Sequence, residues 1–243
     1  MSTEQKQKLS VKLLLGRILM LIGIPAVLIF FAKFGAKKFY LISLAVIVLA
    51  MVPFFLRFEK KKPQAREIVT LSVLSAIAVA SRAAFAMVPH FKPMSGIIMI
   101  AGMAFGAEAG FLVGAVSAFV SNFIFGQGMW TPWQMFAYGV AGFIAGLAYR
   151  WGIIGERDKG QKVMTPIFGF LGIVAIVGPI LDVCSIFTMG NEISLSWAIS
   201  IFVSGFPVNV IHGTATALTL LFLCKPMMEK LNRIKMKYGM MEE

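Results

Sequence analysis

Eight stretches of apolar sequence constrain this chain more than any motif in it. They run at about 11–32, 39–56, 68–88, 96–107, 110–125, 133–151, 164–189 and 196–223. A helix that crosses a bilayer needs about 20 mainly apolar residues, so most of these runs are long enough to span, and little chain is left for anything outside the membrane. The fold class that follows is an all-α integral membrane protein. Composition agrees, because hydrophobic residues make up 58% of the chain and charged residues 14%, against about 25% charged in soluble domains. A soluble catalytic domain is excluded. The runs at 96–107 and 110–125 fall short of a full span and predict short or tilted helices packed by their neighbours.

The net charge is +12, from 23 Lys plus Arg against 11 Asp plus Glu. Its placement matters more than its size. The basic residues lie between or beyond the apolar runs, as in Arg57, Lys60, Lys61, Lys62 and Arg66, and again in Lys225, Lys230, Arg233, Lys235 and Lys237. There they meet anionic head groups and set orientation, and no nucleic-acid partner is expected. Counted over short loops, Arg150, Arg157, Lys159 and Lys162 join the same side. The segments 89–95, 126–132 and 189–195 carry only Lys92 and Glu192 between them. The expectation is a multi-pass cell-membrane protein with both termini cytoplasmic, although Lys33, Lys37 and Lys38 run against the rule in the first turn. The linker 57–66, basic and broken by Pro63, divides a two-helix transmembrane extension with its basic linker (1–62) from a six-helix core (63–243). No A-x-A-like site follows the first run, so it reads as a retained helix rather than a cleaved signal peptide. Cys184 and Cys224 each sit inside an apolar run and read as packing residues.

The run at 68–88 places Ala76, Ala80 and Ala84 at i, i+4 and i+8, a smooth face that another helix can approach closely; it reads equally as a docking surface or as internal packing. Gly102, Gly106, Gly110 and Gly114 repeat the spacing, but a turn expected at Glu108 interrupts the face and favours internal packing. The most unusual stretch is NFIFGQGMWTPWQMF. Trp130 and Trp133 bracket Thr131-Pro132, Gly126 and Gly128 give turn freedom, and Asn122, Gln127 and Gln134 supply amide donors and acceptors. This suits an outer cup around a neutral organic ligand. The competing reading is an interfacial aromatic belt with Pro132 opening the next helix. Polar groups at membrane depth are costly and mark candidate sites. Arg82 and Asp182 both lie toward the outer side and could pair, while Asn209 and His212, three apart on the last helix, could floor a pocket or bond between helices.

No phosphate loop, H-E-x-x-H or G-x-S-x-G motif is present, and two histidines, His90 and His212, are too few for a histidine metal site. No cofactor and no metal are expected, and Asp182 alone is too little for an acidic proton relay.

The six-helix core, the basic start, the Ala76/Ala80/Ala84 helix and the outer loops rich in aromatics and amides together resemble the substrate-binding S component of energy-coupling factor (ECF) type ABC vitamin transporters, over about residues 64–235. The resemblance implies a protein that captures a vitamin from outside and is not an enzyme. Its implied partners are a coupling transmembrane subunit and two cytoplasmic ATPases, within the lipid bilayer. On that pattern Ala76, Ala80 and Ala84 dock on the coupling subunit. Gln127, Trp130, Thr131, Trp133, Gln134, Asn191 and Glu192 take the ligand role, with Arg82, Asn209 and His212 as further candidates. The stretches SRAAFAMVPHFKP and GQGMWTPWQMF are most similar to members associated with cobalamin or a related corrinoid. The two-helix extension is not part of the usual core. The alternative is an intramembrane enzyme acting on a lipid or prenyl substrate, which requires Arg82, Asp182 and His212 to converge. A stand-alone secondary transporter requires paired internal repeats, and none is visible between the halves.

Overall fold

Each apolar run becomes a helix. A computed structural model describes residues 3–34, 39–57, 65–189 and 194–240, and no strand occurs among the described residues. The elements are α1 (Thr3–Ile18), α2 (Ile24–Phe34), α3 (Phe39–Arg57), α4 (Ala65–Ala84), α5 (Met94–Phe105), α6 (Ala107–Phe125), α7 (Trp130–Arg150), α8 (Lys159–Gly172), α9 (Gly178–Met189) and α10 (Leu195–Tyr238). Two π-helical turns, Leu19–Gly23 and Ile173–Val177, join α1 to α2 and α8 to α9 without a break. Each turn is followed within two residues by a proline, Pro25 and Pro179. Proline has no N–H to give and its ring crowds the carbonyl four residues back, so a locally widened turn lets the helix run on. By length and composition the segments Val11–Phe30, Ala65–Ala84, Ala107–Phe125, Lys159–Met189 and Leu195–Tyr238 can each cross a bilayer, and the chain is a multi-pass membrane protein.

Caps explain where the helices outrun the apolar runs. The Asp158 carboxylate accepts from the Gln161 N–H at 2.8 Å and starts α8 five residues before its apolar run. Ser194 does the same for α10, accepting from the Trp197 N–H at 3.2 Å. α10 then continues past residue 223 to Gly239, which closes the helix in the left-handed region at φ 56°. That tail is polar enough to escape a search for apolar runs, yet it packs Met228 and Leu231 into the core.

The centre of the bundle is α5. All twelve of its residues are buried, and at 1.5 Å per residue it is about 18 Å long, too short to span alone. A helix that is apolar all round belongs inside protein, and α5 is surrounded by α4, α6, α7 and α10. Glycines bring α5, α6 and α7 nearly into backbone contact. A Cβ at Gly110 would stand 2.6 Å from the Cα of Gly102, and one at Gly146 would stand 2.6 Å from the Cα of Ala107. The glycine stripe is therefore internal packing, as expected. The turn, however, falls at Gly106 and not at Glu108. Gly106 takes φ 95°, which an L side chain rarely adopts, while its N–H still bonds the Gly102 carbonyl at 2.8 Å. Glu108 lies instead in the first turn of α6, where the helix dipole favours a carboxylate.

Glu108 also ties the two-helix extension to the core. α3 packs on α6 and α7, α1 packs on α3, and Met20, Ile24, Leu28, Ile42, Val46 and Ala50 are buried in that assembly. Arg17 reaches from α1 to Glu108, with Nη2 at 2.6 Å and Nε at 2.7 Å from the same carboxylate oxygen. Glu108 is only 2% exposed, so this is a largely desolvated ion pair. From the other end of the chain, Lys235 donates to the Ala104 carbonyl at 2.7 Å. The α5–α6 corner is thus held by one cation from each end of the protein. Arg17→Leu is expected to destabilise the folded protein by about 1.5–3 kcal/mol, the range for a hydrogen bond to a charged group. The exchange Arg17→Glu with Glu108→Arg should recover part of that loss. Thermal melts in detergent measure both, and a Leu variant that melts with the wild type would show that the pair does not hold the hairpin.

Polar contacts among α4, α6 and α7 and around α10

α4 has two faces of different character. Leu71, Leu74, Ser75, Ala78 and Val79 are buried against the bundle, while Ala76, Ala80 and Ala84 are exposed, beside Val73 and Ile77. Ser72 and Ser75 return their hydroxyls to carbonyls four residues back, at 2.9 and 3.0 Å, and so add no polar group to the helix surface. The alanine face is a smooth strip without a protein partner among the described residues.

The last turn of α4 carries Arg82, which turns inward. Its Nη1 donates to Ser121 Oγ at 2.6 Å and to Asn122 Oδ1 at 2.9 Å, both in the last turns of α6, and its guanidinium lies 4.4 Å from the centroid of the Phe125 ring. With its oxygen occupied by Arg82, the Asn122 amide must present its nitrogen to α7. It donates to Thr131 Oγ1 at 3.0 Å and Gln134 Oε1 at 2.8 Å. Thr131 Oγ1 also accepts from the Gly128 N–H at 3.1 Å, closing the 126–129 turn onto the start of α7. Asn122 is therefore the hub of a chain of hydrogen bonds that crosses three helices.

Asp182 does not pair with Arg82. Its Oδ2 accepts from Asn209 Nδ2 at 2.9 Å, linking α9 to α10. Glycines on the facing helices make room for the pair: a Cβ at Gly178 would stand 2.5 Å from Asn209 Nδ2, and one at Gly205 would stand 2.8 Å from the Asp182 carboxyl carbon. The two charged groups that could have paired are each satisfied by uncharged neighbours, Ser121 and Asn122 for one and Asn209 for the other. Asn209 and His212 each bond to another helix, one of the two roles open to them from the sequence. His212 lies 3.1 Å from Ser95 Oγ in the first turn of α5, and that hydroxyl is 2.6 Å from Thr216 Oγ1. The Tyr138 ring meets the His212 ring edge-on, with centroids 5.8 Å apart.

The remaining expected ligand residues divide between packing and the site. Thr131 is fully buried and spends its hydroxyl on the turn. Trp133 is 6% exposed and stacks on Phe187 of α9 at 6.1 Å. Trp130 is largely exposed. Gln127 donates to the Phe119 carbonyl at 3.0 Å, while its Oε1 is buried without a partner among the described residues. Asn191 and Glu192 lie outside the described residues. Ser95, Ser121 and Tyr138 join the site without having been singled out from sequence. A serine in an alanine-rich helix or a tyrosine in an aromatic-rich one carries no pattern of its own, and only the neighbouring helices give it a role.

Among the described residues no three His, Cys, Asp or Glu side chains converge as metal ligands. Arg82, Asp182 and His212 are each engaged by different partners, so the convergence that an intramembrane enzyme requires is not formed. What the geometry defines is a helical membrane bundle with a buried polar and aromatic cluster near one end and a free small-residue strip on an outer helix. The comparison with known families agrees: residues 62–229 match the family model described as ECF-type riboflavin transporter, S component. The chain belongs to that family, whose members are substrate-binding transporter subunits and not enzymes, and the match begins where the two-helix extension ends. No solved structure matches the chain.

Because Asn122 serves Arg82, Thr131 and Gln134 at once, Asn122→Leu should leave buried polar groups unpaired and destabilise the protein by about 1–3 kcal/mol. The check is a thermal melt in detergent, and a melting temperature within error of wild type would show that the chain of hydrogen bonds is not structural.

Proposed function

We propose that this protein is the subunit that captures riboflavin from outside the cell and delivers it to an ATPase-driven coupling module. The observation that carries this reading is the pairing of a polar and aromatic cluster near one end of the bundle with an unoccupied alanine strip on α4, in a chain of the S-component family. The two features divide the work: one binds, the other docks. The cluster opens to the outside and both termini lie in the cytoplasm, a placement supported by the basic residues of 57–66, 150–162 and 225–237. Residues 63–243 hold the substrate, and residues 1–62 are an accessory hairpin.

Flavin suits the cluster chemically. Its ring system is flat, neutral and edged with carbonyl and N–H groups, which match aromatic faces and amide side chains such as Gln127, Gln134, Trp130 and Asn209. Arg82 and His212 complete the frame, and Asn191 and Glu192 remain further ligand candidates from the sequence. A corrinoid, the ligand of the family members to which the stretches 81–93 and 126–136 look most similar, is far wider. Thr131 and Trp133, two of the groups that would wall a wide cup, are buried in packing, which supports the smaller ligand. The other partners are a coupling transmembrane subunit and two ATPases, met through Ala76, Ala80 and Ala84. A bulky side chain on that strip would hold a partner helix away.

Two experiments test this. Protein purified gently and examined by mass spectrometry and flavin fluorescence should retain riboflavin; retention of a corrinoid in its place would overturn the flavin reading. Ala80→Trp should leave riboflavin binding to the purified protein intact and abolish uptake by cells carrying the complete transporter. Uptake at the wild-type rate would remove α4 as the docking helix.

A further inference from the structure

Tyr138 is the largest side chain with no exposed surface among the described residues, and its hydroxyl has no hydrogen-bond partner among them. Two other buried polar atoms, Ser117 Oγ and Gln127 Oε1, also have no partner among the described residues, while the other polar groups of the cluster are satisfied. Arg82 is held by Ser121 and Asn122, His212 by Ser95, and Ser95 by Thr216. The Tyr138 ring meets His212 edge-on, with centroids 5.8 Å apart. Tyr138 sits eight residues into α7, about 12 Å from the first residue of that helix. A tyrosine placed only to fill space has no need of its hydroxyl, and burying one unbonded is costly enough that a phenylalanine would serve better.

The backbone around Tyr138 also fixes where the ring can be. A Cβ at Gly114 would stand 2.5 Å from the Tyr138 carbonyl carbon, so α6 and α7 are nearly touching at this level. The backbone that carries the ring is fixed at that contact, and the edge of His212 lies against the ring itself. The hydroxyl is held in position with nothing of the protein to bond.

Building on the reading that this chain binds a flavin, we propose that the Tyr138 hydroxyl determines specificity by donating a hydrogen bond to a carbonyl oxygen on the heterocyclic edge of the ligand, with His212 positioning the tyrosine ring. The ligand class selected is a planar heterocycle that presents a carbonyl, and the sugar-like chain of riboflavin takes no part in this contact.

The test compares wild type and Tyr138→Phe, measuring the melting temperature without ligand and the affinity for two probes: riboflavin, and lumiflavin, which keeps the ring and lacks the hydroxylated chain. Removing a hydroxyl that bonds nothing in the protein should leave the ligand-free melting temperature unchanged or raise it. The affinity for both probes should fall by about ten-fold, the upper end for one neutral hydrogen bond. Unchanged affinity for both probes overturns the assignment, as does a lowered melting temperature with affinity retained, which marks the hydroxyl as structural. A loss confined to riboflavin overturns the choice of the ring edge. Wild-type protein that binds neither flavin overturns the flavin reading itself, a result distinct from the others, and the Tyr138 assignment falls with it.

Discussion

The close approach of α6 to α7 governs the rest of the structure. Gly110, Gly114 and Gly142 let the two backbones come within a distance that no other residue would permit. Lipid gives apolar side chains no reason to leave it for a helix interface, so association depends on dispersion contacts, and small residues multiply them by admitting backbone atoms. That approach brings Asn122 opposite Thr131 and Gln134 and fixes Tyr138 beside His212. The functional groups are where they are because two helices touch.

A second constraint is that polar groups surrounded by hydrocarbon must find partners inside the protein. Arg82, Asp182, His212 and Arg17 each have one, and in every case the partner lies on a different helix. These bonds act as registration marks. Sliding α10 by one turn against α9 would part Asp182 from Asn209, and sliding it against α5 would part His212 from Ser95. Polar residues thus specify the arrangement that apolar packing alone would leave loose.

Much of this was legible in the sequence. The eight apolar runs became helices, most with ends within a few residues, because hydropathy and length leave a membrane chain few alternatives. The alanine strip on α4 and the packing role of the glycine stripe also followed from spacing. The failures share one cause. The possible pairing of Arg82 with Asp182 does not form, because each found amide or hydroxyl partners that depend on helix order around the bundle and not on position along the chain. The turn went to Gly106 because a positive φ outweighs the charge of Glu108 as a reason to break a helix. Tyr138 was passed over because burial without a partner is a property of three dimensions. The end of α10 was underestimated because its last turns are helical for reasons of capping and charge rather than hydropathy.

The pair between Arg17 and Glu108 changes the size of the object that the membrane has to accommodate. A helical hairpin attached only by apolar contact could part from its neighbours at small cost, since lipid would take their place. Here separation would strip a guanidinium from a carboxylate that is only 2% exposed. Extension and core are therefore bound to share every tilt or displacement, and the bilayer meets a wider body, with a larger perimeter of displaced lipid, than the core alone would present.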